Sequence, residues 1–279
     1  MTIDPKQVAA LREKTGTGMM ECRKALVEAN GNLEAAVDLL RAKGKANADK
    51  KADRAANQGV IAQSILSGAK VGLLLEVNCE TDFVAKNDSF LATTAEWAKG
   101  LAENPATDLE PLRVEAIQKI GENIQIRRNV RFEVTGNGAV ASYIHLGGKI
   151  GVLLEVSAGN ADTTEKEEFK QFVRDVTLHI AAASPVCLNR DEVPPALADR
   201  ERAICLEKAP KDKPAPQVEG IVKGMMNKFF ATACLLEQGF VKNPDQTITA
   251  LVDEKSKSLG DQIAINRFAR FQVGEEIAG

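Results

Sequence analysis

A stretch that this chain carries twice constrains its fold most. Gly59–Ala102 and Gly138–Ala181 align without a gap, with 12 identical pairs in 44. Agreement is densest where Gly68-Ala69-Lys70-Val71-Gly72-Leu73-Leu74-Leu75-Glu76-Val77 faces Gly147-Gly148-Lys149-Ile150-Gly151-Val152-Leu153-Leu154-Glu155-Val156, and Phe90 falls on Phe169. A glycine near the turn between two strand-like runs predicts a β-hairpin in each copy, followed by an amphipathic helix. Between the copies, Leu112–Ile120 reads as a helix. Ile124, Ile126, Val130, Phe132 and Val134 then suggest a strand with a bulge after Ile126. The pattern predicts a duplicated α+β core.

The copies part company where strand leads into helix. The first reads Asn78-Cys79-Glu80-Thr81-Asp82-Phe83-Val84-Ala85-Lys86-Asn87, the second Ser157-Ala158-Gly159-Asn160-Ala161-Asp162-Thr163-Thr164-Glu165-Lys166. Framework agrees while this stretch does not, as expected when function sits on one copy's loop. Phe83 stands out there, because only 4% of residues are aromatic and its neighbours are polar. By residue type alone it is expected to pack at the base of the following helix, with Asp82 or Asp88 as N-cap. Glu80 and Asp82 argue against deep burial, since carboxylates resist it without partners.

The first fifty residues predict a three-helix unit. Val8 and Leu11 give one apolar face, and Cys22, Ala25, Leu26 and Ala29 a second. Leu33, Ala36, Val37 and Leu40 follow helical spacing behind an Asn32 N-cap. Ala42–Asn57, rich in alanine and lysine, reads as a helical or flexible linker. After Pro185, Leu197–Lys208 and Val218–Leu236 predict a helical hairpin inserted into the second copy. Thr247–Lys257 predicts a further helix and Gln262–Val273 a closing strand. The expected division is 1–57 (three-helix unit plus linker), 58–137 (first core subdomain), 138–185 with 237–262 (second), 186–236 (hairpin insertion) and 263–279 (C-terminal module).

Chemistry is sparse. A net charge of −3 and a pI near 5.7 supply no positive field to recruit phosphate backbones, so nucleic acid is not the expected partner. The N-terminus lacks an apolar signal region and the longest apolar run, Val71–Leu75, is far short of a bilayer span, so a cytoplasmic protein is expected. Five cysteines, odd in number and without C-x-x-C, read as reduced and mostly buried thiols. Of the two histidines, His145 near a hairpin turn is expected to be exposed and His179 packed or half-exposed. Neither adjoins a nucleophile motif, and Gly16-Thr17-Gly18 lacks the rest of a phosphate loop. The expectation is a protein-binding factor without a cofactor. An adaptor and an enzyme of unrecognised type are the rival classes.

Thr81-Asp82-Phe83-Val84-Ala85-Lys86 resembles the signature loop of the bacterial elongation factor Ts family. Thr15–Leu26, Ile120–Arg128 and Arg267–Glu275 match further signatures of that family in the same order. The resemblance implies a ubiquitin-associated-like (UBA-like) N-terminal domain, a duplicated α+β core, a helical hairpin insertion and a short C-terminal module. It implies guanine-nucleotide exchange on elongation factor Tu. The loop Thr81, Asp82, Phe83 and Val84 would displace that GTPase's Mg²⁺, with Phe83 as a wedge. Arg12, Met19, Met20, Lys24, Ile126, His145 and Val241 would contact the partner. Self-association through the hairpin, or a 2:2 complex, is a further implication. Gly239 before Phe240 stands where the family more usually has proline, and the hairpin has diverged most.

Overall fold

Three helices open the chain because each has its own start and stop. In the computed structural model, which describes residues 3–276, Asp4 accepts the Lys6 N–H at the head of α1 (Pro5–Thr15), and Gly16 ends it at φ 65°. Helix α2 (Met19–Glu28) follows. Asn32 caps α3 (Leu33–Lys51) by accepting from Glu34 and Ala35. Val8, Leu11, Cys22, Ala25, Leu26, Ala36, Val37 and Leu40 form their shared core. Helix α3 continues through most of the stretch read as a linker, burying Gly44 and Ala48. Residues 1–2 of the expected N-terminal unit and 277–279 of the expected C-terminal module lie outside the described residues.

The first copy runs β1 (Gln58–Ile65), β2 (Val71–Cys79), α4 (Asp82–Ala85), α5 (Asp88–Glu103), α6 (Glu110–Ile120) and β3 (Ile124–Glu133). The second runs β4 (Gly138–His145), β5 (Ile150–Ala158), α7 (Ala161–Glu165) and α8 (Glu167–Ala183). It is interrupted by α9 (Pro195–Lys208), α10 (Ala215–Ala233), β6 (Gly239–Phe240) and β7 (Asn243–Thr247), then resumes with α11 (Ile248–Leu259) and β8 (Ile263–Gln272). Two antiparallel three-stranded sheets result, β1-β2-β3 and β4-β5-β8.

The C-terminal strand is therefore not a module of its own, as the 263–279 boundary had it. It is the third strand of the second sheet. Strand β5 is buried on both faces, and its free edge needs hydrogen-bond partners that only β8 supplies. The registers correspond closely. Glu76 faces Arg128 and Val77 faces Ile126, leaving Arg127 as a bulge, and Glu155 faces Arg267 and Val156 faces Ile265, leaving Asn266. The bulge falls directly after Ile126, where the sequence put it.

Each central strand is apolar apart from Glu76 and Asn78 in β2 and Glu155 and Ser157 in β5, because both its faces are covered. Leu73, Leu75 and Val77 pack with Phe90, Trp97 and Leu101 beneath α5, and Val152, Leu154 and Val156 pack with Phe169, Phe172 and Val176 beneath α8. Leu74 and Leu153 turn the other way and meet between the sheets with Ile61, Phe132, Val140 and Phe271. The two copies thus share a middle layer. No described helix is long and apolar enough to cross a membrane.

Candidate functional site

Strand β2 delivers the divergent loop, and the next four residues form one helical turn, α4. Thr81 caps it, its Oγ1 accepting the Val84 N–H at 3.3 Å while its hydroxyl donates to Glu122 Oε1 at 2.6 Å. Glu122 Oε2 accepts the backbone N–H groups of Glu80 and Thr81, both at 3.0 Å. The Asn123 N–H donates to Glu80 Oε1 at 2.6 Å. From below, the Cys79 thiol donates to the Thr81 carbonyl at 3.2 Å, and burial pushes its pKa up to about 11, so it keeps the proton it donates. Ala85 is buried and Val84 packs against the first copy's core.

On this base Phe83 projects with 82% of its surface exposed. The expectation that it packs at the base of the next helix is overturned: Val84 and Ala85 point inward and Phe83 falls on the open side of the turn. The capping expectation is also corrected. Asn87 caps α5, and Asp82 and Asp88 are first helical residues, where a carboxylate meets the positive end of the helix dipole. Lys86 bonds Asp82 at 2.7 Å and holds its carboxyl below the usual range. Both side chains are well exposed, so the pair orders the turn more than it stabilises the fold.

Packing of the sheets brings the second copy's β4–β5 turn to the same place. Lys149 Nζ donates to Gln58 Oε1 at 3.0 Å, and Gln58 pairs with Cys79 at the root of the loop. His145 starts that turn. It is exposed as expected, stacked on Tyr143 and 3.0 Å from its hydroxyl. The turn that His145 starts thus reaches, through Lys149, the root of the loop that carries Thr81–Val84.

The other candidates are dispersed. Arg12 is exposed on α1, and Met19 and Met20 are exposed at the start of α2, with Lys24 bonded to Glu21 at 2.7 Å. Ile126 is half-buried against the first core. Val241 is exposed on the β6–β7 turn, its N–H donating to Nδ1 of the buried His179 at 3.1 Å. Sequence reading missed Glu122 and Asn123 as the loop's support. Both lie inside the Ile120–Arg128 signature, but nothing in their spacing shows that they reach a loop 42 and 43 residues earlier. All five cysteines are free and buried. The described residues contain no group of three or more His, Cys, Asp and Glu that could hold a metal ion.

Fold and loop together define an α+β protein of antiparallel sheets and helices that presents an uncovered aromatic side chain on a firmly anchored turn. The family model described as "Elongation factor TS" matches residues 80–275. Elongation factor Ts of Trichlorobacter lovleyi is 44% identical, with 99% of this chain and 94% of that protein covered. Elongation factor Ts of Syntrophotalea carbinolica is 45% identical over the same shares, and that of Nitratidesulfovibrio vulgaris strain DP4 is 39% identical with 100% and 98% covered. The chain belongs to the elongation factor Ts family.

Proposed function

We propose that this protein is a translation elongation factor that binds elongation factor Tu in its GDP form and promotes exchange of GDP for GTP. The loop Thr81–Val84 enters beside the nucleotide site and dislodges the partner's Mg²⁺, with Phe83 as the wedge. Arg12, Met19, Met20 and Lys24 of the N-terminal unit, which we read as UBA-like, together with Ile126, His145 and Val241, supply the surrounding contacts. The observation that carries this reading is the exposure of Phe83 on a turn whose backbone is fixed on both sides. A large aromatic left in water has no role in this chain's own stability and is suited to a partner's pocket.

Magnitudes limit what the wedge does alone. Weakening a nucleotide by about 10⁴-fold takes roughly 5.5 kcal/mol of coupling. Burying one phenylalanine supplies about 1.5–3 kcal/mol. The dispersed contacts must provide the rest, which suits a chain whose candidates span several modules. Coupling is reciprocal, so nucleotide loosens the factor as the factor loosens nucleotide. The factor makes and breaks no bonds. Its five buried free thiols suit a reducing cytoplasm. Self-association through the hairpin belongs to the same reading.

The test is release of a fluorescent GDP from elongation factor Tu in a stopped-flow instrument. Phe83→Ala is expected to fold normally and slow release by about tenfold or more. The matching position of the second copy, Asp162→Ala, should leave release unchanged. Binding without accelerated release by the wild-type chain would favour an adaptor instead.

A further inference from the structure

Phe83 makes its exposed projection without packing of its own, so its direction is set by the backbone of residues 80–85. We infer that Glu122 is the positioning residue of this loop, an inference that rests on reading Thr81–Val84 as the exchange loop. One carboxylate there satisfies three donors: the N–H groups of Glu80 and Thr81 at 3.0 Å and the Thr81 hydroxyl at 2.6 Å. The last bond matters most for geometry. An ionised carboxylate only accepts, so the Thr81 hydroxyl must spend its proton on Glu122 and turn its lone pairs toward the Val84 N–H. That orientation makes Thr81 the cap of α4 and places Phe83 on the outer side of the turn. A bond to Glu122 thereby decides where an aromatic ring two residues beyond Thr81 points.

The second copy supplies an internal comparison. Gly260 and Asp261 follow α11 as Gly121 and Glu122 follow α6, both glycines ending their helices in the left-handed region. Asp261 Oδ2 accepts the Asn160 N–H at 2.9 Å, and Oδ1 accepts from Asn160 Nδ2 at 3.1 Å. An acid before the third strand therefore clamps the strand-to-helix loop in both copies, as a property of the fold. What the first copy adds is an acid that reaches the hydroxyl of the capping residue itself: Asp261 has the Thr163 hydroxyl beside it, but Thr163 lies inside α7, whose cap Asn160 makes no side-chain capping bond. Gly159 stands where the first copy has Glu80, and a side chain there would strike Asp261. Only the first copy's clamp sits beneath an exposed aromatic.

The experiment measures GDP release from elongation factor Tu across a range of factor concentrations, giving a maximal rate and a half-saturating concentration. Glu122→Gln offers one acceptor and two donors to a site that needs only acceptors. It is expected to lower the maximal rate by about tenfold or more while the half-saturating concentration moves less than about threefold. Thr81→Val should behave alike, and the two changes together should be no worse than the stronger single one, because they break the same link. Asp261→Asn, the same chemistry in the second copy, should release at the wild-type rate. A wild-type maximal rate for Glu122→Gln, an effect confined to half-saturation, or an equal loss in Asp261→Asn would overturn the positioning role. If circular dichroism shows that Glu122→Gln does not fold, Thr81→Val decides alone, and an undiminished maximal rate sinks the idea. Phe83→Ala separates this inference from its foundation. Slow release by Phe83→Ala with normal release by Glu122→Gln removes only the clamp, whereas normal release by Phe83→Ala removes the exchange loop itself.

Discussion

At the scale of single residues, two side chains show how little residue type decides without its neighbours. Phe83 is an aromatic residue that stands in water, because the turn that carries it is anchored through Val84 and Ala85. Its residue type pointed to core, while the mismatch between the copies and the family resemblance of Thr81–Lys86 made its loop the candidate site. His179 is the converse, a polar residue fully buried in α8. Its Nδ1 accepts the Val241 N–H at 3.1 Å, so the proton sits on Nε2 and is donated to Gln238 Oε1 at 2.9 Å. Burial holds its pKa below the ordinary 6.5, although the bond to Gln238 pulls the other way. Below pH 6.5 the unfolded chain takes up a proton that the folded chain refuses, so this contribution is complete above that pH and is lost as pH falls toward the folded value. The depressed carboxylates, Asp82 and Asp261 among them, act only at lower pH. Thermal melts between pH 7.5 and 5.5 should therefore show falling stability that flattens in His179→Gln. That variant should also be about 1–3 kcal/mol less stable at pH 7.5. A variant with the wild-type slope would remove His179 from the explanation.

At the scale of elements, the hairpins were legible and the third strands were not recognised as equivalents. Two strands and a helix recur at one fixed spacing, so their repetition shows in a gapless alignment. Ile124, Ile126, Arg128 and Phe132 of β3 correspond to Ile263, Ile265, Arg267 and Phe271 of β8 by register, but α9, α10 and the β6–β7 pair lie between the second copy's helix and its strand. That interruption displaced β8 from the repeat and made it look like a separate module. What the alignment did contain, without explanation, was glycine at both 72 and 151. Gly72 and Gly151 lie where the sheets approach. A Cβ on Gly72 would come within 2.5 Å of Val140 Cγ1 and 2.7 Å of Ile65 Cδ1, and one on Gly151 would collide with Ile61. The matched glycines let two twisted sheets share one layer of side chains. Gly72→Ala is expected to destabilise the chain by about 1–3 kcal/mol through overpacking, measured as a lower urea midpoint with an unchanged slope. An unchanged midpoint would mean that the sheets have room to spare.

At the scale of the whole molecule, the two copies are joined by reciprocal contacts that make them one unit. Arg128 of the first stacks on Phe271 of the second with its guanidinium 4.0 Å from the ring centre, and Arg267 of the second stacks on Phe132 of the first at 4.3 Å. Each arginine is held by the glutamate of its own copy: Arg128 Nε donates to Glu76 at 2.7 Å, and Arg267 Nε to Glu155 at 2.7 Å. Glu76 is fully buried between the sheets and also accepts from Arg127 and the Gly274 N–H. Removing one partner of a buried pair costs about 3–5 kcal/mol. Because Arg127 remains within 2.9 Å, Arg128→Met should fall at the lower end, about 3 kcal/mol. Glu76→Met/Arg128→Met should be more stable than Arg128→Met, since no carboxylate is then left under-compensated. The chain places one natural reporter in each copy: Trp97 is the sole tryptophan, in the first core, and Tyr143 the sole tyrosine, on β4. Urea transitions followed by Trp97 emission and by ¹⁹F resonance of fluorotyrosine at Tyr143 should coincide in the wild type. They should move together in Arg128→Met, although Arg128 belongs to the first copy alone. Coupling of this kind is what the proposed exchange site needs, because its loop comes from one copy and His145 from the other. Transitions that separate in Arg128→Met, with Tyr143 staying at its wild-type midpoint, would show that the copies fold independently and that the stacked arginines do not join them.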